Sequence, residues 1–357
     1  MEPQQGPGQP GRAPVTVVIP TFNRAADLER GLAHLARQRA GVRRVIVVDN
    51  SSTDGTPEMV RALAPAWEGR LDYIRRDPNG PAAARNTGLA GADTPFVLFM
   101  DSDIDLPEDW VGRALAHFER EPGLGAVGGY ILYAFDEGRV NAYGGDLGRT
   151  GLAWDVDEGT VLDPEKGPAD RIWINCSAMM ARTGAVREAG GFDETFFYGY
   201  EDSDIGWRLN ALGHRVAVFP DLRARHNVAE DPGAAHPGIV FHYCKNRLRS
   251  VLKVAAGSTL ATMLAGYAAY TLADILVRPP RGAKLRALGW NLARLGETLA
   301  LRRDLQGRRR VPDSAVLALG SRRWLPPTAL GGRRRRPAGE ATGAGAVPAG
   351  ATVDDRL

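Results

Sequence analysis

Cysteine is scarce in this sequence. The 357 residues include only Cys176 and Cys244, which lie far apart in the chain. Two isolated thiols make neither a disulfide framework nor a zinc-binding pattern. The sequence therefore disfavours a disulfide-stapled secreted domain and favours a reduced compartment.

The first residues also lack a recognisable targeting signal. Residues 1–13 have no basic start followed by an apolar run, which a secretory signal requires. They are rich in Gln, Pro and Gly, so we expect a disordered leader. With the scarcity of cysteine, this predicts a cytoplasmic protein.

No strongly apolar run of membrane-spanning length is evident. Residues 254–273 carry no charge, but they are rich in Ala, Gly and Thr and predict a poor spanning segment. Two alternatives stay open for this helix: a cap on the protein core, or a helix that lies at the inner face of the cell membrane. Its apolar side comprises Leu260, Leu264, Tyr267, Thr271 and Ile275.

Each part of the chain is poor in charge of one sign. Residues 1–240 contain 24 basic and 35 acidic residues, a net charge of −11, whereas residues 241–357 contain 21 and 7, a net charge of +14. The acidic part would need a local device, such as a bound cation, to attract an anionic ligand. The basic part leaves a nucleic-acid-binding protein as an alternative, but no nucleic-acid module is recognisable, so no nucleic-acid partner is expected.

Short apolar runs alternate with helical patterns through the first hundred residues. This alternation predicts an α/β fold with a mostly parallel central sheet flanked by helices. No Gly-x-Gly-x-x-Gly follows the first run, which disfavours a dinucleotide dehydrogenase. The predicted strands are 15–19, 45–48, 71–74 and 96–100, and the predicted helices are 25–39, 56–64 and 81–90.

The later part of the chain has a weaker pattern. Residues 129–170 are rich in Gly, Asp and aromatic residues and predict loops. A strand is expected at 172–180, a helix at 201–212 and a strand at 215–219. From residue 236 the sequence becomes helical and basic, and after residue 310 it becomes rich in Gly, Ala and Pro.

Two carboxylates directly follow the fourth predicted strand. Asp101 and Asp103 stand two residues apart, and such a pair can hold one hard divalent cation against a diphosphate. The alternative is an ordinary turn or helix cap, in which Asp is frequent. Asp105 is the better candidate to cap the next helix, which leaves Asp101 and Asp103 free for a ligand.

A second acidic cluster opens the helix predicted at 201–212. Glu201, Asp202 and Asp204 exceed what stabilisation of a helix amino terminus requires. The excess indicates that one carboxylate acts as a general base. Further along, His226 is either a metal ligand or an ordinary hydrogen-bonded side chain.

A loop and a helix start precede Arg85. The segment 79–86 places Arg85 and Asn86 on a helix whose amino terminus follows Gly80 and Pro81. A helix amino terminus and an arginine both favour an anionic ligand. An ordinary surface helix is the alternative.

Taken together and in this order, the motifs between residues 15 and 249 resemble family-2 glycosyltransferases, and within that family the bacterial rhamnosyl- and galactofuranosyl-type enzymes. The segments that carry the resemblance are 18–24, 47–55, 80–86, 100–103, 190–194, 201–208 and His226.

The resemblance implies the A-type glycosyltransferase fold, a nucleotide-sugar donor and usually an inverting mechanism. With the composition of the later chain, it predicts a catalytic domain over 14–235, a basic helical extension over 236–310 and a largely disordered tail over 311–357. Mg²⁺ or Mn²⁺ would be held by Asp103 and His226, and Asp202 would be the catalytic base, with Glu201 the weaker candidate. The residues on the nucleotide-sugar side would be Thr21, Asn23, Arg24, Asp49, Asp54, Arg85, Asn86, Asp101 and Ser102.

The expected acceptor is a saccharide, a polyprenyl-linked glycan or another hydroxyl compound, in the assembly of cell-surface polysaccharide or glycolipid. Residues 130–170 offer no motif from which acceptor residues could be named. A non-catalytic sugar-nucleotide-binding protein is the remaining alternative, although the intact acidic cluster argues against it.

Overall fold

Four parallel strands form the amino-terminal half of a large sheet in this computed structural model, which describes residues 14–38, 41–228 and 236–327. The four predicted strands are confirmed, and every residue of the first strand is buried. The strands, in spatial order β3-β2-β1-β4, are β1 Val15–Thr21, β2 Val42–Asp49, β3 Leu71–Arg75 and β4 Phe96–Met100.

Helices connect these strands, as the alternation predicts. The first helix ends at Ala36, earlier than expected, and a short 3₁₀ turn, Ala64–Trp67, follows the second. The three helices are α1 Ala25–Ala36, α2 Thr56–Leu63 and α3 Gly80–Gly91. Because the strands are parallel, all of their carboxyl ends meet at one edge of the sheet.

The second half of the sheet is mixed rather than parallel. The sheet order is β10-β12-β6-β11-β4-β1-β2-β3; β11 runs antiparallel to β4 and β6, and β12 runs parallel to β6. Off this path, β5 pairs with β12, β7 pairs with β6, and β8 and β9 form a separate hairpin. These strands are β5 Ile104–Asp105, β6 Leu124–Tyr133, β7 Asp136–Ala142, β8 Gly145–Leu147, β9 Ala153–Asp155, β10 Ala169–Asp170, β11 Ala178–Arg182 and β12 Arg215–His226.

Three helices accompany these strands. They are α4 Trp110–Arg120, α5 Thr183–Glu188 and α6 Glu201–Ala211. The predicted helix at 201–212 is thus confirmed. Asp105 does not cap α4 as expected; it lies in β5 and accepts a hydrogen bond from Arg30 at 2.9 Å.

Two expectations from the sequence are wrong in this half. The strand expected at 172–180 begins only at Ala178, because the buried Trp173 packs between elements and its indole N–H donates to the Asp146 carbonyl at 3.0 Å. A short apolar run predicts that the segment is buried, but it does not tell whether the segment is a strand. The loops expected at 129–170 contain strands β7 to β10 and the second half of β6. In β6, a Cβ at Gly129 would lie 1.8 Å from the Leu222 carbonyl oxygen, so that strand contact requires glycine.

The basic carboxy-terminal part is helical, as predicted. It comprises α7 Pro237–Val254, α8 Gly257–Val277, α9 Arg281–Ala293, α10 Leu295–Arg308 and α11 Asp313–Leu317. Order extends past the expected boundary at residue 311, because Asp313 is buried and accepts hydrogen bonds from Trp207 and Arg309. Residues 1–13 and 328–357, expected to be a leader and part of a tail, lie outside the described residues.

Within the described part of the chain, α8 is the single helix that is long and apolar enough to cross a membrane by length and composition. Only 22% of that stretch is buried. Its buried side includes Thr271, whose hydroxyl accepts a hydrogen bond from Arg247 at 2.6 Å, and Tyr267, which packs on the same guanidinium. The helix therefore contacts the rest of the protein through polar as well as apolar groups.

Helix α7 holds α6 in place through buried ion pairs. The Lys253 ammonium lies 2.7 Å from Asp193, just before α6, and 3.0 Å from Asp204 within α6. All three side chains are almost fully buried. The extension is thus packed into the core beneath the acidic helix.

Replacing Lys253 by methionine should destabilise the protein by about 3 kcal/mol, at the low end of the range for removing one partner of a buried ion pair. Each carboxylate keeps an arginine, Arg249 or Arg208, which limits the loss. Urea unfolding would measure it. Lys166→Met is the control, because the Lys166–Asp157 pair is partly exposed and should contribute at most about 1 kcal/mol. Equal losses from the two substitutions would contradict the buried network.

Candidate active site

The loops that follow β1 and β2 are joined by hydrogen bonds at the carboxyl edge of the sheet. The backbone N–H of Asn23 donates to the Ser52 hydroxyl at 2.8 Å, and the Asn23 side-chain oxygen accepts from the Thr53 N–H at 2.7 Å. Asn23 has a φ of 50°, a value that asparagine tolerates better than most residues. The structure therefore brings the predicted residues of the two loops together.

Asp49 and Asp54 shape these loops. Asp49 is fully buried and accepts hydrogen bonds from the Ser52 N–H at 2.9 Å and from the Tyr73 hydroxyl. Asp54 accepts from the Thr56 N–H at 3.0 Å and from the Ala25 N–H at 3.1 Å. Burial alone would raise the pKa of Asp54, but these hydrogen bonds lower it, so the carboxylate is ionised at neutral pH.

Two polar atoms in the same loops are buried without a partner among the described residues. They are the Thr21 hydroxyl at the end of β1 and the Asn50 side-chain oxygen just after β2. Such groups are costly unless a ligand or water satisfies them. Thr21 was predicted from the sequence, whereas Asn50 was not, because nothing in its pattern separates it from an ordinary turn residue.

Arg85 lies at the centre of the site and contacts three carboxylates. Its guanidinium is almost fully buried and lies 2.8 Å from Asp101, 3.3 Å from Glu201 and 3.7 Å from Asp202. Arg85 thus joins α3, the end of β4 and the start of α6. Because Asp103 follows Asp101 by two residues, the two acidic clusters share one edge of the sheet.

Asn86 is placed differently from its neighbour. Its amide N–H₂ donates to the Phe192 carbonyl at 2.9 Å and to Glu194 at 3.0 Å, and its oxygen accepts from the Phe192 N–H at 2.8 Å. The side chain therefore supports the segment that leads to α6. These hydrogen bonds go to the segment before α6 and not to the loops after β1 and β2.

Glu201 and Asp202 are adjacent carboxyls in a buried setting. Burial, together with the charge of Asp202, raises the pKa of Glu201 to about 7, and burial also raises the pKa of Asp202. The Asp202 side chain is 22% exposed and that of Glu201 is 10% exposed. Asp204, by contrast, is fully buried and paired with Arg208 and Lys253.

Asp103 and His226 face each other at the same edge. The Asp103 carboxylate lies 3.0 Å from the Arg24 guanidinium through one oxygen and 3.4 Å from His226 Nε2 through the other. Burial would raise the pKa of Asp103, but His226 and Arg24 hold it below its ordinary value. Ser102 is buried beside Asp103.

These two residues fit the requirements of a hard divalent cation. Nδ1 of His226 lies 2.9 Å from the side-chain oxygen of Asn141, which can only accept a hydrogen bond. In the tautomer that donates from Nδ1, Nε2 carries a lone pair, and a cation between Nε2 and the Asp103 carboxylate would bind both. No group of three or more His, Cys, Asp or Glu that could hold a metal occurs in the described ranges. Protein ligands this few suit Mg²⁺ or Mn²⁺ that is completed by a diphosphate and water.

Several side chains near these carboxylates were missed by the sequence analysis. Asp155, on β9, accepts a hydrogen bond from Asn175 at 2.9 Å, and burial raises its pKa to about 7. Exposed rings of Tyr198 and Tyr243 pack edge to face with centroids 5.9 Å apart. Tyr243 comes from α7, so the helical extension contributes to this wall of the site. Asp155 and Tyr243 belong to no local motif that would reveal them, whereas Tyr198 stands three residues before the Glu201–Asp202 pair.

Comparison with known proteins identifies a domain that covers these loops. Residues 16–156 match the family model described as Glycosyl transferase family 2. The match includes the loops after β1, β2 and β4, and it ends before α6 and His226.

Two curated relatives come from Mycobacterium tuberculosis. A pre-mycofactocin glycosyltransferase is 33% identical over 224 residues, which are 62% of this chain and 44% of the relative. An N-acetylglucosaminyl-diphospho-decaprenol L-rhamnosyltransferase is 27% identical over 245 residues, 61% of this chain and 77% of that protein. The chain thus spans less than half the length of the first relative. A rhamnosyltransferase among the relatives agrees with the subgroup expected from the motifs.

A solved structure has the same fold. The crystal structure of GalNAc-T7 with UDP, GalNAc and Mn²⁺ aligns with a TM-score of 0.59 at 15% identity, covering 72% of this chain and 51% of the other. At this identity the likeness shows the fold alone. It agrees with the fold class predicted from the sequence.

Proposed function

We propose, from the match of residues 16–156 to the family-2 glycosyltransferase model, that the protein moves a sugar from a nucleotide-diphosphate donor to an acceptor hydroxyl. One observation carries the proposal. Arg85 joins Asp101, two residues before the Asp103–His226 pair, to the Glu201–Asp202 pair. A group suited to hold a diphosphate through a cation therefore lies beside a group suited to take a proton.

The nucleotide side of the site is proposed to lie at the loops after β1 and β2. The unpartnered oxygens of Thr21 and Asn50 would bond to the nucleoside. Asn23, Asp49 and Asp54 fix the loops through hydrogen bonds to other loop residues, so they would position these atoms rather than move with the ligand. Their partners are Ser52 and Thr53 for Asn23, Ser52 for Asp49 and Thr56 for Asp54.

The diphosphate side is proposed to lie between Arg24 and His226. Asp103 and His226 would hold Mg²⁺ or Mn²⁺, and the bound ion would neutralise the charge of the leaving diphosphate. Arg24, 3.0 Å from Asp103, adds a second positive charge at the same place. The positive charges of the cation and of Arg24 would together offset the charge of an anionic ligand. This compensation is needed because residues 1–240 carry a net negative charge.

Asp202 is proposed to act as the general base. It is the more exposed carboxylate of the pair, and Arg85 holds Glu201 more closely. Its carboxylate would accept the proton of the acceptor hydroxyl as that oxygen attacks the sugar from the face opposite the diphosphate, with inversion. The bond to the diphosphate oxygen breaks as the new glycosidic bond forms.

The acceptor is proposed to be a saccharide or a polyprenyl-linked glycan used in cell-surface assembly. The rings of Tyr198 and Tyr243 pack on each other, and Tyr243 interacts electrostatically with Glu201 and Asp155. Exposed aromatic rings offer a flat apolar surface, and Asp155 offers a hydrogen-bonding group.

A donor screen tests the proposed function. The purified protein would be mixed with Mn²⁺ and a panel of nucleotide-diphosphate sugars, and release of free nucleoside diphosphate would be measured with and without EDTA. We expect release from one donor class, lost on chelation. Tight binding of a donor without any release would instead support a non-catalytic sugar-nucleotide binder.

We also propose a peripheral contact with the inner face of the cell membrane through α8 and α9. Large apolar side chains stand exposed there, with arginines nearby. Exposed apolar side chains can enter the bilayer interface, and neighbouring arginines are attracted to anionic lipid headgroups. The exposed residues are Leu272, Leu276, Val277, Leu285 and Leu292.

Replacing both Leu276 and Val277 by glutamate should lower the partition onto anionic liposomes at least about tenfold, because burying each apolar side chain contributes roughly 1.5–3 kcal/mol. Flotation with phosphatidylglycerol vesicles would measure it. Val161→Glu is the matched control, since Val161 is equally exposed but lies outside the carboxy-terminal helices. Equal flotation of the double variant and the control would contradict the proposed surface.

A further inference from the structure

The backbone of His226 is fixed on two sides. Its carbonyl accepts a hydrogen bond from the Ala134 N–H at 3.0 Å, and its position in β12 pairs with Ile104 of β5, next to Asp103. The backbone contacts do not determine how the imidazole ring is rotated or which of its nitrogens carries the proton. Both decide whether Nε2 can act as a ligand.

Asn141 contacts this ring from another strand. It stands near the end of β7, and β6 separates β7 from β12 in the sheet. Its side-chain oxygen lies 2.9 Å from His226 Nδ1, while Nε2 lies 3.4 Å from the Asp103 carboxylate. One ring nitrogen, Nδ1, thus contacts an acceptor, and the other, Nε2, faces the proposed cation position.

We infer that Asn141 is a positioning residue for the metal site, which keeps the proton of His226 on Nδ1 and aims Nε2 at the cation shared with Asp103. This inference rests on the proposed function. A histidine ligand whose second nitrogen donates to an oxygen keeps one tautomer and one orientation, and loss of such a partner typically weakens metal binding about 10–100-fold.

The test uses the full-length protein and Mn²⁺ alone, with binding followed by loss of the free-ion signal in electron paramagnetic resonance. Asn141→Leu removes the acceptor at similar size and should weaken Mn²⁺ binding about 10–100-fold. Asn141→Asp keeps the shape with a stronger acceptor and should bind Mn²⁺ at least as tightly as the unsubstituted protein. Because this readout is affinity, it does not depend on turnover.

Retention of Mn²⁺ affinity by Asn141→Leu would overturn the inference, and so would a large loss in Asn141→Asp. The second variant keeps the test valid if the leucine variant does not fold, which thermal unfolding would show. His226→Ala separates the two levels of argument. If His226→Ala loses Mn²⁺ binding and Asn141→Leu does not, only the role of Asn141 fails; if neither loses it, the proposed metal site fails as well.

Discussion

Asp202→Asn should bind the donor normally and transfer sugar about 10²–10⁴-fold more slowly, the range for loss of a general base. An amide cannot accept the hydroxyl proton, yet it keeps the size of the carboxyl beside Arg85. Donor binding is proposed to depend on the loops after β1 and β2 and on the Asp103–His226 pair, so it should be preserved. Single-turnover transfer and donor titration would measure the two quantities separately.

Glu201→Gln is the matched control for this substitution. Glu201 is adjacent, more buried and closer to Arg85, so we assign it a supporting role. Its loss of activity should be clearly smaller than that of Asp202→Asn. Near-normal transfer by Asp202→Asn, or a larger loss in Glu201→Gln, would reassign the base.

Asp103→Asn should abolish the metal dependence of donor binding. The substitution removes the negative charge of one of the two proposed protein ligands, and the effect should exceed the 10–100-fold typical of residues that only orient a ligand. Calorimetry with Mn²⁺ and the nucleoside diphosphate selected by the donor screen would measure it. The binding that remains should no longer respond to EDTA.

Asp105→Asn provides the control for loss of a buried carboxylate in the same short segment. Asp105 accepts hydrogen bonds from Arg30 and Asn227 and lies in β5. Its substitution changes the same charge at nearly the same place without touching the Asp103–His226 pair. If both variants lose metal-dependent binding alike, the assignment of Asp103 as the ligand would not stand.

The parallel half of the fold could be predicted because its strands are short buried runs separated by helical patterns. The polar residues that follow β1, β2 and β4 then had to lie at one edge, and Arg85 indeed meets Asp101 there. The mixed half could not be predicted in the same way. Strand β6 contains three glycines, which strands usually avoid, and its neighbours β11 and β12 come from much later in the chain.

The parts of the site that escaped prediction share a physical cause. Asn141, Asp155 and Tyr243 belong to no local motif, and each reaches the site only through contacts between distant segments. His226 was found because of a family resemblance, whereas the oxygen that orients it lies 85 residues earlier in the chain. Spacing along a sequence does not reveal such a pair.

Strand β11 gives this architecture an assembly order. It is inserted between β4 and β6, so the early four-stranded unit has no hydrogen-bonded link to the later strands until residue 182 has been synthesised. The helix that bears Asp202 and the strand that bears His226 emerge from the ribosome later still. A nascent chain can thus complete the loops after β1 and β2 while the proposed base and metal ligand are still missing, and the site is complete only when the last sheet strand has docked.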